Sequence, residues 1–426
     1  MAQPIPAADP PAPDEAAVRR VAREAYFWAW PRVELFARLQ ASGGHAPMRA
    51  DAPGLLGGQS VLALDASPVV LQVPDFGARF WRIHVMDART DGAAHLGCVY
   101  GSPPGFYLLA GPGWVGEIPA GIRRVFGVRT ETVIVMPQLE AGAGAAQLLD
   151  QVDAYPVAAF DGRPRRGGGR WLDAASTGGP GDDPDRRARL PLDFRRLLPA
   201  ALQAAPLLPG EHALHRRLTG ALAAVRDSAA LAQVFDAALE QAERELQAPL
   251  AALQRAGRAL PHHWWTLEDS AADDDFMRAL AARADPMRPP HGEVASFYLR
   301  CDVHGAPLDA RRRYTLDFAA GKAPPVRAFW SLSAGAAQAI HAAGAPHAIV
   351  SRDLDAAAAH GGAFSVHLQA EAPAPGNAVH WLPLPTADGH ALGLCLRCYW
   401  PGPELLDGRW APPAVVPVAD EPAQGG

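Results

Sequence analysis

Two aromatic, strand-like stretches set far apart in the chain limit what it can fold into. The first takes in residues 67–75, 80–87 and 106–114; the second takes in 324–332, 380–385, 398–401 and 406–410. Pro and Gly break both at intervals too short for helices and close to the strand spacing of a sandwich. They predict two β domains in one chain, and 426 residues give room for two to three cores. From Ala295 the alternation is clean: Phe297, Leu299, Cys301 and Val303 on one face, Tyr298, Arg300 and Asp302 on the other. His304-Gly305 turns the chain and Tyr314, Leu316 and Phe318 alternate in return, an antiparallel hairpin with one buried face.

Helical periods frame these stretches. Asp14 reads as an N-cap before Val18, Val21, Ala25, Trp28, Val33 and Phe36, and Pro31 is expected to end or kink that helix near Trp30. Tyr26, Phe27, Trp28 and Trp30 are too apolar to expose, so the helix is expected to dock on a β domain. Leu214, Leu218, Leu222 and Val225 form one later apolar face; Leu231, Phe235, Ala238, Ala242 and Leu246 form the next. The expected class is α+β: two antiparallel β-sandwich or jelly-roll-like domains, an N-terminal kinked helix and a middle helical segment. The divisions are an arm and aromatic helix (1–50), a first β domain (51–160), a Gly/Arg/Asp-rich loop (161–190), a helical segment (191–290) and a second β domain (291–426). The loop tract has too few apolar residues to order itself.

The chain resembles the tandem proteins that carry domain of unknown function 1254 followed by domain of unknown function 1214. The first match rests on the helix Ala25 to Pro31, on Pro68-Val-Val-Leu-Gln-Val-Pro-Asp75, on Met86-Asp87 and on Tyr107 to Trp114. The second rests on Phe329-Trp-Ser-Leu332, Trp381-Leu-Pro383, Arg397-Cys-Tyr-Trp-Pro401 and Asp407-Gly-Arg-Trp410. The resemblance implies two β-sandwich or jelly-roll units with helical additions, assembled as a homo-oligomer, and no agreed reaction. This chain departs from the family at Met136-Pro137, at the Ala-rich 334–359 and at His380, where the relatives carry polar residues.

The net charge of −6 and the lack of a basic stripe argue against a nucleic-acid partner. No apolar run is long enough for a membrane span, and the Pro/Ala-rich start lacks a secretory h-region, so a cytoplasmic location is expected. Four cysteines are too few for a disulfide framework, and Cys395 and Cys398, three apart on a strand, point to opposite faces and cannot grip one metal. Gly111-Pro-Gly-Trp-Val-Gly116 matches a dinucleotide pattern, but no helix can start there, so it reads as a turn. No organic cofactor and no metal are expected. His212 with His215 reads as a solvated helix face, and His262-His263-Trp264-Trp265 as packing between domains.

The candidate acid–base groups are Asp87, His84, Glu293, Asp302 and His380. Asp87 closes the apolar face Trp81/Ile83/Val85, where burial raises a carboxyl pKa, whereas a contact with Arg89 makes it structural. His84 lies on the opposite face. Arg89, Trp114, Arg300, Trp330, Trp381, Arg397 and Tyr399 are the candidate substrate contacts, with Arg397 and Tyr399 sharing one strand face beside Arg300, Asp302 or Asp317. Such a patch suits a small or glycan-like ligand; a solvated sheet face with ion pairs accounts for it equally simply. Three readings stay open: a hydrolase or lyase at the interface between the β domains, a binding or assembly module, and a scaffold with a degenerate site.

Overall fold

In the computed structural model the described residues are 13–41, 53–166, 184–247, 257–267, 274–284, 288–336, 347–354, 361–373, 380–385 and 392–418. Most of the expected loop and much of the Ala-rich 334–359 lie outside them. The chain is α+β. Helix α1 (Glu15–Ala41) is capped by Asp14, whose Oδ1 accepts from the Ala17 amide at 2.7 Å. Of the two outcomes expected at Pro31, an end or a kink, the end does not occur, because the helix runs through it. Proline costs a helix interior about 3 kcal/mol, and burying Tyr26, Phe27, Trp28 and Trp30, at roughly 2–3 kcal/mol each, outweighs it.

The first β unit contains β1 (Leu55–Gly57), β2 (Ser60–Ala63), β3 (Val69–Val73), β4 (Trp81–Asp87), β5 (Gly92–Gly97), β6 (Gly105–Ala110), β7 (Ile122–Gly127), β8 (Thr132–Glu140) and β9 (Asp153–Pro156). One sheet runs β1-β8-β4-β5 with β2 also on β8, the other β7-β6-β3-β9. Leu71, Leu109 and Phe126 of one sheet and Ile83, Val85 and Val133 of the other share a core. A short helix α2 (Ala145–Leu149) links β8 to β9.

Helices α3 (Pro184–Ala204), α4 (His212–Asp227), α5 (Ala229–Gln247) and α6 (Asp275–Ala284) follow, with β10 (Arg258–Ala259) and β11 (Trp265–Thr266) between the last two. Helix α3 begins inside the stretch expected as loop. The aromatic face of α1 packs among these helices, with Phe194, Leu218, Phe235 and Leu280, and also against Trp265, Tyr298 and Cys395 of the second unit. Its main partners are therefore helices, and its docking on a sheet is secondary.

The second unit comprises β12 (Val294–Leu299), β13 (Tyr314–Phe318), β14 (Trp330–Ala336), β15 (His347–Val350), β16 (Phe364–Gln369), β17 (His380–Pro383), β18 (Leu392–Tyr399), helix α7 (Pro403–Leu406) and β19 (Val415–Pro417). One sheet runs β10-β11-β12-β18-β14-β15, the other β17-β16-β13-β19. Phe297, Leu332, Leu394 and Leu396 meet Tyr314, Leu316, Val366 and Leu382 between the sheets. The units are not wholly antiparallel, because β6/β7 and β16/β17 run parallel.

Strand by strand the second unit repeats the first. β3, β4, β5, β6, β7, β8 and β9 correspond to β13, β14, β15, β16, β17, β18 and β19, and both units place the parallel pair at the same edge. A 3-10 turn follows β5 (Cys98–Tyr100) and β15 (Ser351–Asp353), and α2 and α7 occupy equivalent links. Backbone bonds repeat as well. Glu140 N donates to Phe80 O and Tyr399 N to Phe329 O, both at 2.8 Å; Ala141 N donates to Gly54 O at 2.9 Å and Trp400 N to Glu293 O at 3.0 Å. The fold is an internally duplicated β unit with a helical layer inserted between the copies.

The copies meet through equivalent surfaces. Leu55 and Phe80 of the first form one buried cluster with Val294, Phe329, Val350 and Tyr399 of the second. Arg352, in the turn after β15, donates to Gly54 O at 2.7 Å; Tyr100, in the turn after β5, donates to Glu293 at 2.5 Å. Gly54 and Glu293 are equivalent positions, so the two turns reach the opposite copy in a pseudo-twofold relation, one at a backbone carbonyl and the other at a side-chain carboxylate.

Candidate functional site

The seam between the two copies carries the densest chemistry. On β4 the residues alternate, so Trp81, Ile83 and Val85 enter the core of the first unit while Phe80, Arg82, His84 and Met86 face outward. The outward row does not reach solvent. Arg82 pairs in register with Gln138 on β8, and His84 with His95 on β5. A β-bulge between Val85 and Met86 shifts that register and brings Gly92 beside the histidines, a common device at the edge of a site.

Glu293, from the turn before β12, enters this row from the second unit. Its side chain is 2% exposed and takes hydrogen bonds from Arg82 Nη1 at 3.0 Å, His95 Nδ1 at 3.1 Å and Tyr100 Oη at 2.5 Å. Burial alone would raise its carboxyl pKa. The bond from His95, the charge and bond of Arg82 and the bond from Tyr100 together overcome burial and hold it down to about 2. An ionised carboxylate only accepts, so Nδ1 of His95 carries the proton of this hydrogen bond. Gln138 Oε1 accepts from Arg82 Nε at 2.6 Å and fixes the guanidinium.

His84 is 6% exposed and neither ring nitrogen has a hydrogen-bond partner among the described residues. Its ring stacks on His95, centroids 4.6 Å apart and planes 19° from parallel. Burial, with the nearby charges of Arg82 and His95, pushes its pKa down to about 3, and Glu293 pulls weakly the other way. A Cβ at Gly92 would lie 2.5 Å from His95 Nε2 and 3.3 Å from His84 Nε2, so the backbone of this exposed glycine packs directly against both rings and leaves no room for a side chain. Helix α1 covers the far end of the row, where Leu35 touches Met86, Ile134 and Met136.

Of the residues singled out from sequence, His84 and Glu293 come together here. Arg397 and Tyr399 face the same seam from β18. Tyr399 stacks on Phe329 at 4.2 Å, and Arg397 pairs in register with Ser331 and Ser296. Their face is buried beneath the first unit, so it is not a solvated patch. Arg300 and Asp302 lie beyond the end of β12, and Asp317 belongs to the other sheet.

The other candidates lie elsewhere. Asp87 is on the opposite face from His84, and its Oδ1 accepts from the amides of Arg89 at 2.8 Å and Asp91 at 3.0 Å, building the β4–β5 turn. Asp302 does the same for His304 at 2.9 Å and Ala306 at 3.0 Å. The Arg89 guanidinium avoids Asp87 and binds Glu211, at 2.5 and 3.1 Å, with Arg32 and Trp28 on the same carboxylate. Trp330 stacks on Phe318 inside the core, His380 lies edge-on to Phe364, and Trp381 donates to Gln369 O. Trp114 packs beside Val70, Leu108 and Tyr155 on the outer sheet of the first unit. His95, Tyr100, Arg82, Gln138 and Gly92 were not foreseen. One signal was present: the turn Asp87 to Asp91 folds β4 onto β5 and brings the two histidines opposite each other.

A duplicated two-sheet unit with its polar seam between the copies defines the class of protein. Residues 52–158 match the family described as Protein of unknown function (DUF1254), and residues 293–403 match Protein of unknown function (DUF1214). The chain belongs to the proteins that carry these two domains in tandem. Among solved structures it is similar to the VPA0106 protein from Vibrio parahaemolyticus, at 18% identity and TM-score 0.65 over 94% of this chain and all of that one, a likeness of fold. An uncharacterised protein from Burkholderia cenocepacia matches at 12% identity and TM-score 0.44 over 95% of this chain and 94% of that one. No curated protein matches the sequence. No helix among the described residues is long and apolar enough to cross a membrane.

Proposed function

We propose that this protein is an enzyme that performs acid–base chemistry with its own side chains, a hydrolase or lyase acting on a small polar substrate at the seam between the β units. The observation that carries this reading is the Glu293–His95 hydrogen bond, in which a buried carboxylate holds an imidazole that is itself 29% exposed. A carboxylate on Nδ1 fixes the tautomer, and it stabilises the imidazolium that forms when Nε2 takes a proton. Tyr100 and Arg82 hold that carboxylate in place. A scaffold reading draws support from Glu293 itself, since its bond to Arg82 also fastens the two units together.

The test compares wild type with His95→Gln, each incubated with a host metabolite extract and followed by untargeted mass spectrometry. A compound consumed by wild type and spared by the equally folded variant is the expected result. Identical profiles would favour the scaffold reading.

A further inference from the structure

The outer face of the β17-β16-β13-β19 sheet lies across the core of the second unit from the seam, and the duplication singles it out. One row of residues crosses each outer sheet in matched register. In the first copy it is Val125, Leu108, Val70 and Tyr155; in the second it is Trp381, His367, Thr315 and Val416. Val70 and Leu108 are fully buried and Tyr155 nearly so, in a cluster that Trp114 and Phe160 pack against. All four residues of the second row reach solvent, and Val416 is 40% exposed. We propose that this open face is a carbohydrate-binding site that holds an oligosaccharide laid across the strands. The site is separate from the seam and stands without the acid–base reading.

Three features define what the face recognises. The first is the indole. Alternation along the strands sends Leu316, Val366 and Leu382 into the core and turns Thr315, His367 and Trp381 outward. Trp381 Nε1 donates to the Gln369 carbonyl at 2.9 Å, which fixes the ring at one end of the row. An indole held at a surface suits the C–H face of a pyranose, which is apolar while its rim is hydroxylated.

The second feature is Asp317, on the same face and exposed. It pairs in register with Ser365, and its carboxylate accepts from Ser365 Oγ at 2.5 Å and from Thr315 Oγ1 at 3.3 Å. A carboxylate has about four acceptor positions, so it keeps lone pairs for the hydroxyls of a sugar. The third feature is charge and direction. No Lys or Arg belongs to the row or to its neighbours Asp317 and Ser365, so an anionic polymer finds no counter-charge there and meets a carboxylate. A peptide strand adds to a sheet at its edge through backbone bonds, whereas this row crosses four strands, where side chains alone meet a ligand. The row is about 14 Å long at the usual strand spacing, which is room for a short oligosaccharide.

The test is isothermal titration calorimetry of the full chain with cellopentaose, xylopentaose, chitopentaose, maltopentaose and laminaripentaose. Wild type is expected to bind at least one of them. Trp381→Ala and Asp317→Ala should each weaken that binding about tenfold or more, because each removes one of the two anchors. Asp317 is exposed, so its variant keeps the fold even where the tryptophan variant is destabilised, and thermal melts check both. His95→Gln, at the seam, should bind with wild-type affinity. No binding of any of these sugars overturns the inference, as does full affinity in Asp317→Ala or a loss confined to His95→Gln. A self-association seen by sedimentation and broken by Trp381→Ala would assign the face to a second copy of the chain and overturn it equally.

Discussion

A histidine kept neutral by burial makes folding sensitive to acid, and His84 gives a measurable case. Its ordinary pKa is 6.5 and its folded value is about 3. As the pH falls below 6.5 the unfolded chain takes the proton first, so the unfolded state gains. The stability associated with a neutral ring is complete above pH 6.5 and is lost as the pH drops through 3. At about 1.4 kcal/mol per unit, wild type should lose about 2 kcal/mol between pH 7 and pH 5 that His84→Gln does not lose. Urea unfolding at the two pH values measures this, and equal losses in both proteins would show that burial of His84 has no such effect. Glu293 acts in the same direction over a lower range, because its folded value of about 2 lies below the ordinary 4.5 and its contribution fades between the two.

At the scale of elements, the β4–β5 turn has two tasks. Its shape depends on the Asp87 carboxylate, and it delivers Arg89 to Glu211 at the start of α4, so the first β unit is fastened to the helical layer. Asp87→Asn retains the acceptor oxygen and should cost less than about 1 kcal/mol, whereas Asp87→Ala strands one buried and one half-buried amide and should cost about 2–3 kcal/mol. Chemical denaturation distinguishes them, and equal costs would mean that the charge of Asp87 matters rather than its geometry. This residue also shows what the sequence makes legible. The period of two placed Asp87 and His84 on opposite faces, and it placed Cys395 and Cys398 likewise, because pleat geometry is local. The His84–His95 pairing depends on a register that a bulge displaces, and the Glu293–His95 bond depends on how two units pack. Neither is written in a local pattern. The persistence of α1 through Pro31 was hidden for a related reason: tertiary burial outweighed a local breaker.

On the scale of the whole molecule, the pseudo-twofold contact predicts paired behaviour. Phe80 and Phe329 are equivalent residues whose rings meet edge to face at 6.2 Å, and both touch Tyr399. Phe80→Ala and Phe329→Ala should each cost about 3–4 kcal/mol, and the double variant should cost about 1 kcal/mol less than their sum. Strict additivity would mean that the units are not coupled through these rings. The seam is unequal although the units are duplicated, since Arg82, His84 and His95 in one copy correspond to Ser331, Ser333 and Ala348 in the other. The placement of α1 has a consequence for synthesis. Its aromatic face shares a core with Tyr298 and with Cys395 in β18, which leave the ribosome long after it. Tyr26, Phe27, Trp28 and Trp30 are made well before these sheet partners, and the nascent chain must shelter them meanwhile under α3, α4 and α5. The order of emergence therefore makes the middle helices an internal chaperone for the N-terminal helix.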